Sequence, residues 1–292
     1  MEDLQTQGWC QVRLGENCRR QARFGEALEW LTAAQRGFEG LGDQDGLGQA
    51  LHYLGTLADQ QGDYASAQAH YVHSLTLRRE VGDQPRVASL LSNLAIVARR
   101  QGNLLDARRL HEESLSIRRS FGDRWAIGVS LNNLGNVLLD LGNYGEALPC
   151  FEEALALMRQ VGDRWTIANF LNNLGNAARS QRDDDRAHAL YRESLLIYRG
   201  FEDKWALAYL LEDIGCLLAL EGKPTPALRL IGAAAALRAA IGVPLSGAEQ
   251  ARLDRLLASA LGPIDSPAHA RAWAQGRALS QAEAINEALD QL

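Results

Sequence analysis

The sequence is short of the features that mark membrane, secreted or nucleic-acid-binding chains. No uncharged apolar run approaches the ~18 residues that a membrane-spanning helix requires. The opening stretch MEDLQTQGWC lacks the basic-then-apolar layout of a secretion signal. A cytoplasmic protein without membrane association is expected. Positive charge is scarce too. Lys and Arg total 30 against 36 Asp and Glu, leaving a formal charge of -6, which offers no global attraction to nucleic acid, so direct nucleic-acid binding is not expected. Cysteine is sparse and scattered at Cys10, Cys18, Cys150 and Cys216. The nearest pair sits eight residues apart on one helix and cannot readily bridge, so reduced thiols are expected.

The signatures of catalysis are missing as well. The chain has no Gly-x-x-x-x-Gly-Lys-Ser/Thr loop, Gly-x-Gly-x-x-Gly turn, His-Glu-x-x-His helix or Cys-x-x-Cys pair. His70 and His73 lie three apart on one helix, yet no third ligand has the right placement for a metal. Neither a metal nor a cofactor is expected, and the chain reads as a non-enzyme.

What is present is an internal period. Gly-Asp recurs at Gly42-Asp43, Gly82-Asp83, Gly122-Asp123 and Gly162-Asp163, with Glu202-Asp203 in the next register, a spacing of forty residues. Halfway between lie Gly62-Asp63, Gly102-Asn103 and Gly142-Asn143, then the divergent Arg182-Asp183 and Gly222-Lys223. The segments between carry apolar residues at three- and four-residue spacing, with Asp or Asn to cap the start and Gly to end them, so each repeat reads as a helical hairpin. The strict alternation of strands is absent.

Within the hairpins, side-chain size repeats. A leucine or isoleucine followed by a small residue stands at Leu14-Gly15, Leu54-Gly55, Leu94-Ala95, Leu134-Gly135, Leu174-Gly175 and Ile214-Gly215. The second helices carry Ala27, Ala67, Ala107, Ala147, Ala187 and Ala227, each followed by a larger plug: Leu31, Tyr71, His111, Phe151, Tyr191 and Ile231. Small residues at a helix crossing allow close approach, and one large side chain fills the remaining space.

This pattern resembles the tetratricopeptide repeat, over roughly residues 2 to 241. The forty-residue unit and the missing end-of-repeat proline depart from the usual form and resemble kinesin light chains and spindle-orientation repeat proteins. The resemblance implies an all-α, right-handed superhelical solenoid of six hairpins (about 2–41, 42–81, 82–121, 122–161, 162–201 and 202–241). Beyond residue 241 the period stops. Ser246 with Glu249, Ser266-Pro267, and Ser280 with Glu283 read as starts of three further helices, a capping segment over 242–292 that hides the last apolar face. The stretch from Ala227 to Leu289, which begins ALRLIGAAAALRAAIGVPLSGAEQARL and ends AWAQGRALSQAEAINEAL, also resembles the closing part of LuxR-type and related ATPase-coupled transcriptional regulators of bacteria.

The hexapeptide LNNLGN occurs at Leu131 to Asn136 and again at Leu171 to Asn176. Asparagine is a weak helix former, so helix stability alone does not select it. On a helical wheel Asn132, Asn136 and Asn133 fall at about 160°, 200° and 260° from Leu134, on one arc opposite the packed side. Exposure is therefore expected for Asn93, Asn133 and Asn173, for Asn132 and Asn172, and for Asn136 and Asn176. The resemblance places the first helices on the concave surface, where asparagines at the Asn93/Asn133/Asn173 and Asn136/Asn176 registers resemble those that hold the backbone of an extended peptide. An amide both donates and accepts, matching a peptide main chain, although the same groups can instead bridge neighbouring helices.

His52, Tyr53, Arg99, Arg100, Asn169, Arg179, Tyr209, Glu212 and Asp213 complete the arc, with the arginines suited to acidic ligand side chains. Trp125, Trp165 and Trp205 are expected to pack between neighbouring repeats, and Asp123, Asp163 and Asp203 to act as N-caps. The expected function is a scaffold with a protein or peptide partner in its groove. Two alternatives stand beside it: the sensor region of a bacterial transcriptional regulator, and a small-molecule binder or enzyme using Cys216, Glu212 and Asp213. Self-association through the groove or a terminal face is open.

Overall fold

The computed structural model describes residues 2–262 and 266–292, so three residues of the closing segment, 263–265, lie outside the described part. Among the described residues there are fifteen α-helices and no strand. Contacts divide the chain into two units, Met1–Gly142 and Asn143–Leu292. The first holds α1 (Glu2–Arg20), α2 (Phe24–Leu41), α3 (Gln44–Gln60), α4 (Tyr64–Glu80), α5 (Gln84–Arg100), α6 (Leu104–Phe121) and α7 (Arg124–Asp140). The second holds α8 (Tyr144–Val161), α9 (Arg164–Ser180), α10 (Asp184–Tyr198), α11 (Lys204–Leu220), α12 (Pro224–Ala240), α13 (Gly247–Leu261), α14 (Pro267–Arg277) and α15 (Gln281–Gln291).

Short-range chemistry sets these boundaries. Asp43, Asp63, Asp83, Asp123, Asp163, Asp183 and Asp203 each accept a hydrogen bond from the backbone N–H three residues on, satisfying a helix-start donor. Asn103 and Asn143, in the same role by sequence, make no such side-chain bond. Ten of the helices end at glycines with φ between 66° and 82°, a conformation open to residues lacking Cβ. Both predicted serine-glutamate capping boxes form, at Ser246 with Glu249 and at Ser280 with Glu283, and Ser266 caps α14.

The small-large pattern fastens the hairpins. A Cβ on Gly55 would lie 2.7 Å from the Tyr71 ring, and one on Gly175 2.5 Å from that of Tyr191. Gly15 against Leu31 and Gly215 against Ile231 repeat the contact with aliphatic plugs. His111 occupies the same position and is 1% exposed, so an imidazole fills an aromatic's place. Three residues beyond the plugs, serines in three of the hairpins add a bond between the two helices. Ser74, Ser114 and Ser194 Oγ donate to the carbonyls of Gly48, Ala88 and Ala168 at 2.7, 2.7 and 2.8 Å, tying each second helix to its first.

In the second unit, α13 packs on α11, α14 on α12, and α15 on α10, α11 and α12. Leu253, Leu257, Ala284, Ile285 and Ala288 join the core formed by α11 and α12. The fit of α14 is backbone to backbone, since a Cβ on Gly276 would overlap the Arg229 carbonyl and one on Gly232 would lie 2.5 Å from that of Trp273.

Candidate functional site

Because the first helices after α1 (α3, α5, α7, α9 and α11) pack against neighbours on several sides, little of their central turns meets solvent. Half-buried positions recur along a narrow strip at i, i+4, i+7. In the first unit the strip carries Gln49, Tyr53 and Thr56 on α3, Ser89, Asn93 and Ile96 on α5, and Val129, Asn133 and Asn136 on α7. In the second it carries Asn169, Asn173 and Asn176 on α9, then Tyr209 and Asp213 on α11. Gln49, Thr56, Ser89, Ile96 and Val129 were missed by reading the asparagines alone, although the forty-residue register contains them.

Three expected members do not share that exposure. Asn132 is 5% exposed, Asn172 7% and Arg179 8%. The helical wheel assumed one packed side, whereas the arc bearing Asn172 is where the following first helix lies. Asn172 Nδ2 donates to Asp213 Oδ2 at 3.0 Å, and Asn176 Nδ2 donates to the same oxygen at 2.8 Å. Arg179 donates to the Asp213 carbonyl at 2.9 Å, and its guanidinium lies 3.6 Å from Asp213 Oδ1. Tyr191, the plug of this hairpin, donates to Asn176 Oδ1 at 2.7 Å. Asp213 thus gathers two amides and a guanidinium of α9, and Asn176 spans both roles, half-exposed yet fixed from both ends.

The first unit positions its polar groups similarly. Asn93 Nδ2 lies 3.1 Å from His52 Nε2, and the His52 ring stacks on Tyr53 and meets Tyr71 edge-on. Burial, and then the charge of Arg78, lowers the His52 pKa to about 4, so the ring is neutral at physiological pH and can accept from the amide. Arg99 donates to Asp140 at 2.5 Å and Arg100 to Asp59 at 2.6 Å, each pair joining first helices of successive repeats. All three arginines of the predicted arc therefore sit on carboxylates of this chain.

Other expectations are redrawn. Trp125, Trp165 and Trp205 are 49, 37 and 43% exposed, so they are not buried between repeats. Trp165 does reach the next repeat, donating from Nε1 to the N-cap carboxylate of Asp203 at 2.8 Å, while Trp205 leans on Tyr209 with ring centroids 4.7 Å apart. Cys216 is buried, and burial pushes its thiol up to about 12, which removes the thiolate a nucleophile needs. Burial likewise raises the Glu212 pKa against the opposing pull of Arg238, which donates to it at 3.1 Å while stacking on Tyr209. Among the described residues no group of three or more His, Cys, Asp or Glu side chains gathers to hold a metal.

Stacked helical hairpins closed by three further helices, with a polar strip along the first helices, define an all-α repeat solenoid of the interaction-scaffold class. A family model of the tetratricopeptide repeat matches residues 7–80, 86–160 and 126–200, together more than half of the chain. The chain belongs to the tetratricopeptide repeat family, whose members are generally non-catalytic and bind protein or peptide partners. No curated protein matches it.

Solved structures share the fold. BtubC (BKLC) from P. vanneervenii is 23% identical, with 84% of this chain and 94% of that one covered at a TM-score of 0.56. A signal transduction ATPase with numerous domains and a tetratricopeptide repeat sensor, PH0952 from Pyrococcus horikoshii, is 14% identical at a TM-score of 0.68, covering 88% of this chain but 39% of that one. A Rap protein in complex with Competence and Sporulation Factor is 15% identical at a TM-score of 0.66, covering 93% and 84%. Among the described residues no helix is long and apolar enough to cross a membrane.

Proposed function

We propose that this protein is a scaffold that holds an extended segment of a partner protein against the half-exposed strip of its first helices. The observation that carries the reading is that each unit presents half-buried amides at successive turns of a first helix, Asn133 and Asn136 on α7 in the first unit and Asn169, Asn173 and Asn176 on α9 in the second. Tyr53, Asn93 and Tyr209 extend the strip, whereas Asn172, Arg179, Glu212 and Asp213 hold helices in place and Asn132 is buried. His52 positions Asn93. With Arg99, Arg100 and Arg179 engaged internally, the strip reads the main chain and neutral side chains of its ligand rather than acidic ones. The Rap complex, a repeat array of this fold with a bound factor, supports the reading.

The test is a peptide selection. Twelve-residue peptides selected from a synthetic library on the native protein are expected to lose at least about tenfold in affinity, or about 1.4 kcal/mol, in an Asn133→Ala/Asn173→Ala variant. A Trp165→Ala variant is expected to retain them. Unchanged binding of every selected peptide to the double variant would sink the groove assignment.

The likeness to PH0952 favours a second reading, in which the same strip is the ligand-receiving part of a larger regulator. A nucleotide-handling or DNA-binding region in the same reading frame supports that version. A frame without either supports the free-standing scaffold.

A further inference from the structure

A cleft in the second unit lies apart from the first-helix strip. It has a volume of about 570 Å³ and separates the turn between α10 and α11 from the N-terminal half of α15. Arg199, Glu202 and Lys204 line one wall, and Gln281, Ile285 and Asn286 the other. Two arginines pin α15 beyond the cleft: Arg192 donates to the Leu289 carbonyl at 3.1 Å, and Arg229 Nε lies 2.7 Å from Glu287. These contacts hold α15 against α10 and α12 beside the cleft.

The repeat register explains why the cleft carries free charge. Arg79 and Arg159 stand at the same register as Arg199, and each pairs with a glutamate thirty-four residues ahead, Glu113 at 2.6 Å and Glu193 at 2.7 Å. For Arg199 the equivalent position is Ala233, 2% exposed in the core where α12 meets the closing helices. A carboxylate there would be stripped of water, so covering the last repeat removes the partner of Arg199. None of the side chains of Arg199, Glu202, Lys204, Gln281 and Asn286 bonds to another described residue.

We propose that this cleft binds the free α-carboxylate of an apolar amino acid, presented either as the free amino acid or as the last residue of a chain. Arg199 and Lys204 supply the cations for a carboxylate, in a volume within the range of about 300 to 1,000 Å³ usual for small ligands. Glu202 stands between them in sequence, repelling a polyanion while accepting the ammonium or amide N–H that accompanies an α-carboxylate. Gln281 and Asn286 offer donors and acceptors for the remaining polar atoms, and Ile285, 4% exposed, gives the side chain an apolar floor.

The experiment titrates L-leucine, the tetrapeptide Ala-Ala-Ala-Leu, its C-terminally amidated form and inorganic phosphate into the full chain, reading backbone amide resonances of α15 by NMR. A saturable shift at residues 281–286 is expected with leucine or the free tetrapeptide. Response to leucine alone identifies a free amino acid, and response to the tetrapeptide alone identifies a chain end. The amidated peptide and phosphate are expected to bind at least tenfold more weakly, and Arg199→Ala/Lys204→Ala is expected to weaken the carboxylate probes at least tenfold. Both side chains are exposed, and an unchanged circular dichroism melt shows that this variant folds. Glu202→Gln is expected to strengthen phosphate binding, and Asn133→Ala/Asn173→Ala to leave leucine and tetrapeptide binding intact. Equal binding of the amidated peptide, no loss in the double cation variant, or no saturable shift up to about 10 mM overturns the assignment.

Discussion

Ala22 and Arg182 adopt the left-handed conformation, with φ of 57° and 62°, at turns where their register equivalents Gly62, Gly102, Gly142 and Gly222 do so without a Cβ. A side-chain-bearing residue there costs roughly 1–2 kcal/mol, partly offset because glycine loses more backbone freedom on folding. Ala22→Gly and Arg182→Gly are therefore expected to stabilise the protein by about 0.5 to 1 kcal/mol each, measured by urea denaturation. No gain in midpoint would show that these turns have relaxed by another route. The turns were legible in the sequence because positive φ restricts composition at a single residue. His111 shows the limit at this scale: the register marked it as a plug, but its near-complete burial depends on the helices around it.

At the scale of the helix, the register of a side chain matters less than what lies beside it. The arc opposite Leu134 was readable by counting residues, and Asn133, Asn136, Asn169, Asn173 and Asn176 do remain half-exposed. Asn172 does not, because α11 arrives against it with Asp213. Asp213→Ala is expected to destabilise the second unit by about 2 to 4 kcal/mol, since it leaves two amides without their acceptor and the buried Arg179 guanidinium without its counter-charge. Asp213→Asn, which keeps an acceptor oxygen, is expected to lose less. Equal thermal midpoints for wild type and Asp213→Ala would contradict a structural role for this carboxylate. The same scale explains α1, where Gln7, Gln11 and Asn17 occupy the registers of Leu47, Leu51 and Leu57. Polar side chains suit a helix face that is less covered than its interior counterparts.

Across the whole molecule, contacts run mainly between helices near in sequence, so a local charge change is expected to weaken one unit before the other. The first unit encloses two imidazoles. Burial, with Arg78, lowers the His52 pKa to about 4, and burial, with Arg118 and Arg99, lowers that of His111 to about 3. Unfolded, both titrate near 6.5. Between those values the unfolded chain binds protons that the folded chain refuses, so their contribution to stability is intact above about pH 6.5 and falls as the solution is acidified. The loss approaches about 1 kcal/mol per pH unit for each ring. Hydrogen exchange, corrected for intrinsic rate, is expected to show lower protection in α3 to α6 at pH 5 than at pH 7, with α11 and α12 little changed and His111→Phe reducing the effect. Uniform loss across both units would refute it. The amino-acid sequence by itself determined the forty-residue period, the helix starts and stops, and the small-large positions of the hairpins, because caps, positive φ and crossing sterics act within a few residues. Only the tertiary structure decided which amides meet solvent and that Arg99, Arg100 and Arg179 are engaged, because their partners lie thirty-four to forty-one residues away and are brought close by stacking.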